Sequence, residues 1–165
     1  MNKIRSNSFA IVLFLVAAVV LAACGTAGGV QGGGVNADSL LQARRFVFIP
    51  QSINPIGGRT RQVTPDFFLR ISPDTVQSYL PYIGRAFTAP IGNNRGPMDF
   101  TLTDFSYSAT GAGNDRQEIS ISPRGQTDIR ELILSVSPNG YATLIAVSNN
   151  RQQISYNGFI QAQRR

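Results

Sequence analysis

Acid–base chemistry in this chain would have to rest on nine carboxylates and five tyrosines, because its 165 residues include no histidine. The chain also has one cysteine. Without histidine the chain lacks the commonest general base and the commonest metal ligand, and a lone cysteine cannot form an internal disulfide. Catalytic triads and zinc sites that need histidine or paired cysteines are therefore excluded. The sequence predicts no metal site and no cofactor.

Paired carboxylates are the remaining basis for a hydrolase. Asp66 with Asp74, or Asp99 with Asp104, could act as general acid and base if the fold brought them together. However, Asp66 follows a proline, and Asp74 lies in a predicted turn, where aspartate is favoured for local hydrogen bonding. The serines lack a G-x-S-x-G or S-x-x-K motif. The sequence therefore favours a non-catalytic domain over a carboxylate- or tyrosine-based hydrolase.

A second candidate site is cationic. Residues 44–95 contain seven arginines against two aspartates, whereas six arginines balance six acidic residues from residue 96 onward. Arg59 and Arg61 share a face of an extended segment beside Gly57 and Gly58, whose backbone could form an anion-binding nest. The arginine fork suits carboxylate or phosphate. The predicted anion- or partner-binding patch consists of Arg59, Arg61, Arg85, Tyr79 and Tyr82, and a solvated arginine surface is the alternative.

The cysteine follows an export signal. Lys3 and Arg5 precede an unbroken apolar run at residues 9–23, which ends in small residues, as in a secretory signal. The run is shorter than the roughly 20 residues that a transmembrane helix needs. The four residues LAAC, ending at Cys24, resemble the bacterial lipobox, although an ordinary signal with an incidental cysteine is the alternative. The resemblance implies a signal peptide at residues 1–23 and a lipoprotein that carries diacylglycerol and a palmitate-type acyl chain on Cys24.

The residues after Cys24 predict a tether and a compartment. Residues 24–37 are glycine-rich, which is typical of a flexible linker. No acidic cluster follows Cys24, which favours the periplasmic face over display on the cell surface, and we expect the anchoring membrane to be the outer membrane. Removal of Lys3 and Arg5 lowers the net charge from +6 to +4. An exported basic protein meets anionic lipids, acidic glycans or acidic proteins, so we expect the membrane, an anionic ligand or an envelope protein as partners, and no nucleic acid.

The elements that must position these residues are mostly strands. A short helix is predicted from Asp38 to Arg45, and the pattern then changes to a period of two. Strands are predicted at residues 46–49 (ended by Pro50), 67–71, 76–80, 100–110 with a bulge near Asp104, 117–122, 132–136, 141–147 and 154–160. Residues 127–131 are either a helical turn or a strand extension.

Two segments are predicted to be irregular. Residues 53–62 hold Asn-Pro and Gly-Gly breakers, and residues 81–97 form a long loop whose Tyr82, Phe87 and Ile91 are expected to pack on the domain. The whole pattern predicts one mostly β domain at residues 38–165. Its architecture is an antiparallel meander of about eight strands that forms a sandwich or an open barrel, with a short N-terminal helix.

Two stretches carry a family resemblance. They are ARRFVFIPQSINPIGGRTRQVTPDFFLRISPDTVQSYLPYIGRAFTAPIG at residues 43–92 and LSVSPNGYATLIAVSNNRQQISYNGFI at residues 134–160. Both resemble domain of unknown function 4251, which occurs in small exported bacterial lipoproteins. The resemblance implies a class and a compartment but no activity and no catalytic residues. The sequence therefore favours a lipid-anchored envelope module for binding or scaffolding, with a hydrolase or a purely structural envelope protein as alternatives.

Overall fold

The structure, a computed structural model, describes residues 37–87, 96–113, 115–125 and 127–163, all within the compact unit Gly34–Arg165. The predictions for the signal peptide, for Cys24, for the tether up to residue 36 and for Ile91 lie outside these residues. In the described part, no helix is long and apolar enough to cross a membrane.

The predicted helix is present as α1, Ala37–Ala43, and buries Ala37 and Leu41. Its end is a Schellman motif: the Arg44 N–H donates to the Leu41 carbonyl at 3.2 Å and the Arg45 N–H to the Leu40 carbonyl at 3.3 Å. Arg44 takes the left-handed conformation that this motif requires, with φ of 51°. Its guanidinium lies 4.5 Å from the centre of the Tyr107 ring, which ties the end of the helix to the sheet.

The described residues form ten antiparallel strands in one nearly closed, barrel-like sheet, so the mostly β prediction is confirmed. The strands are β1 Phe46–Pro55, β2 Arg61–Gln62, β3 Phe68–Ile71, β4 Val76–Tyr79, β5 Asp99–Leu102, β6 Phe105–Gly111, β7 Gln117–Pro123, β8 Ile129–Val136, β9 Tyr141–Ser148 and β10 Ile154–Ala162. Their order in the sheet is β5-β4-β3-β1-β10-β9-β8-β7-β6, and β2 pairs with β1. The predicted β3–β4 hairpin and the β8–β9–β10 meander are confirmed.

The core lies inside the barrel, where alternate residues of the strands meet. In β10, Ile154, Tyr156 and Ile160 are buried while their neighbours are more exposed. The largest fully buried side chains are Tyr156, Phe46, Phe48, Ile53, Leu69, Ile71, Met98, Ile119, Ile121, Leu132, Leu134 and Leu144. Ala37 and Leu41 of α1 join the same cluster, so the helix and the sheet share one core.

The predicted end of the first strand at Pro50 is wrong. β1 runs through Pro50 to Pro55, and its register against β10 shifts between Pro50 and Ser52. This β-bulge accommodates a residue that has no N–H to donate. Opposite the bulge lies Gly158, where a Cβ would overlap the carbonyl oxygen of Ile49. Only glycine therefore lets the two backbones approach this closely.

Two further differences come from nonlocal pairing. The predicted strand at residues 100–110 is two strands, β5 and β6, which occupy opposite ends of the strand order and are joined by residues 103–104. Residues 61–62, predicted as loop, form β2 against β1. Of the two alternatives for residues 127–131, the strand extension is confirmed for residues 129–131, which belong to β8. In the loop after β4, Tyr82 packs against the core as expected, but Phe87 is 70% exposed.

Candidate functional site

A cavity of about 550 Å³ lies where two separate segments of the chain meet. We call it the arginine pocket, and its lining residues are Pro55, Ile56, Gly57, Gly58, Arg59, Arg61, Ile83, Gly84, Arg85 and Gln152. Arg59, Arg61 and Arg85 of the predicted patch all belong to this lining. The pocket therefore combines three cations with the apolar side chains of Ile56 and Ile83.

The first wall of the arginine pocket is the connection between β1 and β2. The Gly58 N–H donates to the Pro55 carbonyl at 3.2 Å, and Gly57 has a φ of 72°, a conformation that glycine adopts without strain. The Thr60 hydroxyl donates to Asn54 Oδ1 at 2.8 Å across the connection. Arg61 is paired with Ile53 of β1. Local turn chemistry thus holds Arg59 and Arg61 at one end of the hairpin.

The second wall is the segment after β4, which is held by the turn between β9 and β10. The Gln152 N–H donates to the Arg85 carbonyl at 3.1 Å, and the Arg85 N–H donates to Gln152 Oε1 at 3.3 Å. Next to them, Ala86 forms a bridge with Arg151, and the Phe87 N–H donates to the Asn150 carbonyl at 2.7 Å. These contacts position the Arg85 backbone opposite the β1–β2 connection.

Tyr82 holds one wall of the arginine pocket in place but is not part of the lining. Its hydroxyl proton is shared between the Gln152 carbonyl at 3.0 Å and the Arg85 carbonyl at 3.3 Å. Burial raises the pKa of this hydroxyl, although the nearby Arg151 partly opposes the shift. Tyr82 therefore remains a protonated donor near neutral pH. Its role in the structure is to position the segment that carries Arg85.

Tyr79, the other tyrosine of the predicted patch, lies elsewhere. It is on the outer face of β4, where its ring stacks on Phe67 with 5.2 Å between centroids. It does not line the arginine pocket. The structure therefore brings the three arginines together, places Tyr82 behind them and leaves Tyr79 outside the site.

The three arginines are electrostatically uncompensated. Within the described part of the chain, the one ion pair joins Arg151 Nε to Asp128 Oδ2 at 2.8 Å. Arg59, Arg61 and Arg85 are exposed and have no carboxylate partner among those residues. Three arginines in the lining of one cavity form a site suited to an anion with several oxygen atoms, such as a phosphate or a polycarboxylate.

The carboxylates considered for a hydrolase do not converge. Asp66 and Asp74 flank opposite ends of β3, and Asp99 and Asp104 flank opposite ends of β5. Each of these strands has four residues and spans about 10 Å from its first Cα to its last, so the two aspartates of each pair are separated by the length of a strand. The described residues contain no cluster of acidic or sulfur ligands for a metal ion.

A second, smaller cavity lies on the outer face of the sheet, beside the β1 bulge. Its volume is about 180 Å³, and its lining residues are Gln51, Arg116, Ser135, Ser137, Tyr141, Ala142, Thr143, Asn157 and Gly158. We call it the polar pocket. Sequence reasoning missed it, since its floor depends on the bulge at Gln51 and on Gly158 in a different strand. The available signal was Pro50, because a proline within a strand pattern is typical of an edge strand or a β-bulge.

Comparison with known proteins gives a family and a fold. A family model described as "Domain of unknown function (DUF4251)" matches residues 34–160. A crystal structure of a DUF4251 family protein from Bacteroides eggerthii DSM 20697 is similar to this chain, with a TM-score of 0.56 and 18% sequence identity; the match covers 77% of this chain and 85% of that chain. No curated protein matches the chain. At this level of identity the likeness concerns the fold alone.

Proposed function

Because the chain belongs to the DUF4251 family, whose function is unknown, we propose its role from its own geometry. It is a non-catalytic binding module of the cell envelope whose arginine pocket takes an anionic ligand or an acidic group of an envelope protein. A lipid on Cys24 anchors the mature protein to the outer membrane, facing the periplasm. The lipid anchor and the compartment are supported by the LAAC motif and the apolar run before it.

The observation that carries this proposal is the convergence of Arg59, Arg61 and Arg85 on one cavity without a carboxylate partner among the described residues. If these arginines served only solubility, their position around one cavity would be unfavourable, because like charges repel when they share a site. An anion that bridges the two walls relieves this repulsion and accepts charge-assisted hydrogen bonds from several guanidinium groups.

The surroundings of the arginines favour binding over catalysis. Ile56 is 60% exposed at the rim, and Ile83 forms part of the lining, so the pocket offers apolar surface beside its cations. No carboxylate lines the pocket to act as a general acid or base. This composition suits a ligand that combines an anionic group with an apolar portion.

The test is a calorimetric titration of the full-length protein with pyrophosphate and with citrate. We expect the triple variant Arg59→Ala, Arg61→Ala, Arg85→Ala to bind these probes at least about tenfold more weakly than wild type, because hydrogen bonds to charged groups contribute about 1.5–3 kcal/mol each. The matched control is Arg45→Ala, Arg124→Ala, Arg130→Ala, which removes the same charge from exposed positions outside the pocket.

The control separates a site from general electrostatics. Equal losses in the two triple variants would reduce the effect to net charge, and wild-type binding in the pocket variant would refute the proposal. Thermal denaturation of both variants completes the design. Since the three pocket arginines are exposed and form no ion pair with another described residue, we expect no collapse of the melting temperature, whereas a collapse would make them structural.

A further inference from the structure

The polar pocket has a lining of mostly uncharged hydrogen-bonding groups. Ser135, Thr143 and Asn157 form a row across three adjacent strands, since Ser135 pairs with Thr143 and Thr143 pairs with Asn157. Ser137 and Gln51 extend the lining at either side. Hydroxyl and amide side chains both donate and accept hydrogen bonds, so this row suits a ligand that does the same.

Most of these groups have no partner within the described protein. The Thr143 hydroxyl donates to Asn157 Oδ1 at 3.1 Å, which orients the amide and leaves Asn157 Nδ2 available as a donor. The side chains of Ser135, Ser137 and Gln51 make no hydrogen bond to other described residues. A wholly apolar ligand would desolvate these groups without compensating them, which is unfavourable.

An exposed aromatic ring stands at the rim of the polar pocket. Tyr141 is 59% exposed, and its cross-strand neighbour is Phe159. Ile49 lies opposite Phe159 on the next strand, so the outer face continues as an apolar surface beside the polar row. Exposed aromatic side chains next to hydroxyl and amide groups present a flat apolar surface and directional hydrogen bonds at the same place.

Size and charge narrow the class of ligand. The volume of about 180 Å³ is smaller than the roughly 300–1,000 Å³ of pockets for drug-sized ligands, so the cavity accommodates one small ring. The lining contains one cation, Arg116, and no carboxylate, which makes it a weaker anion site than the arginine pocket. The remaining chemistry is that of a ring with hydroxyl groups around its edge and an apolar C–H face.

We propose that the polar pocket binds one uncharged sugar ring of a glycan, which stacks on Tyr141 and forms hydrogen bonds with Ser135, Thr143 and Asn157. The β1 bulge and Gly158 shape the floor of the site by letting the backbones of β1 and β10 approach each other. The site is independent of the arginine pocket, because the two cavities share no lining residue.

The experiment is saturation-transfer NMR on the full-length protein in a detergent without a sugar headgroup. The probes are the methyl glycosides of glucose, galactose, mannose and N-acetylglucosamine, and the acyclic polyol mannitol supplies hydroxyl groups without a ring face. We expect transfer to at least one glycoside and none to mannitol. Tyr141→Ala and Asn157→Ala should each weaken this binding by about tenfold.

Tyr79→Ala is the matched control, since Tyr79 is another exposed tyrosine on the outer face but lies outside the polar pocket. It should bind like wild type, as should the triple variant of the arginine pocket. Absence of transfer to all four glycosides would overturn the proposal, as would equal transfer to mannitol or unchanged binding in Tyr141→Ala and Asn157→Ala. Displacement of the glycoside by millimolar inorganic phosphate would instead make Arg116 the centre of an anion site.

Discussion

At the residue scale, Tyr156 links the core to the segment that follows β4. It is the largest fully buried side chain, and its hydroxyl donates to the Pro81 carbonyl at 2.7 Å. Burial raises the pKa of this hydroxyl far above the usual tyrosine range, so the group stays protonated in the folded protein. This hydrogen bond stabilises the start of the segment after β4, and that segment carries Arg85.

We predict that removal of this hydroxyl has two effects on stability, one at neutral pH and one at alkaline pH. In Tyr156→Phe, the free energy of unfolding at pH 7 should fall by about 1–2 kcal/mol, because the Pro81 carbonyl loses its donor in a buried site. Urea unfolding followed by circular dichroism measures this loss. Stability equal to that of wild type would show that the bond contributes nothing net.

The alkaline behaviour follows from the same shift. The unfolded chain ionises its tyrosines near pH 10, while the pKa of Tyr156 in the folded protein is higher. Above pH 10 the unfolded state therefore binds fewer protons than the folded state, and the free energy of unfolding decreases by up to about 1.4 kcal/mol per pH unit for this group. Below pH 10 the contribution is fully present. Unfolding of Tyr156→Phe at pH 9, 10 and 11 should show a shallower decline than wild type, and an equal decline would contradict this origin.

At the element scale, the turn between β9 and β10 supports one wall of the arginine pocket. The ion pair of Arg151 with Asp128 fastens this turn to the start of β8, while Gln152 and Asn150 bind the segment at residues 85–87. The position of Arg85 therefore depends on strands far away in the sequence. Tyr82 reinforces the same junction through the Gln152 and Arg85 carbonyls.

Tyr82→Phe tests this positioning role. The phenyl ring keeps the packing against the core but loses the hydroxyl that holds the two segments together. We expect affinity for pyrophosphate to fall by about two- to tenfold, which corresponds to one hydrogen bond. Calorimetric titration measures the change in affinity. Tyr79→Phe is the control, because Tyr79 lies outside the arginine pocket. A variant with unchanged affinity would show that the loop is held by its backbone bonds alone.

At the scale of the whole molecule, the net charge and the proposed lipid anchor bear on the same function. The chain has a net charge of +6, and the three arginines of the pocket lie on a domain that we propose is tethered to a membrane. A tether keeps the binding module in one compartment and raises its local concentration toward ligands at that surface. The proposed role of the glycine-rich residues after Cys24 is that of this tether.

The anchor itself is testable through Cys24. Growth with an alkyne analogue of palmitate should label the wild-type protein, and Cys24→Ser should lose the label because the hydroxyl does not replace the thiol as the site of lipid attachment. Gel fluorescence after coupling to a dye measures the incorporation. Thr26→Ala, two residues further on, should keep the label. Persistent labelling of Cys24→Ser would reject the lipoprotein assignment.

The β class could be predicted from the sequence, because alternation of apolar and polar residues is local and has a period of two. The sequence identified the β3–β4 hairpin and the β8–β10 meander from short turns such as Pro138-Asn139-Gly140. It also selected Arg59, Arg61 and Arg85 from their residue type and local excess of charge. Pairing between distant strands has no local signal, so the split of residues 100–110 into two edge strands was missed.

The choice of candidates that share a site depends on the three-dimensional fold. Arg59 and Arg85 line the same cavity because β1 lies beside β10 and the turn before β10 binds the segment after β4. This relation requires the strand order of the whole sheet. Tyr79 is excluded because it lies on another part of the barrel surface. The polar pocket exists because a bulge in β1 meets Gly158 of β10. Register and backbone approach are properties of strand pairs, and a single stretch of sequence does not contain them.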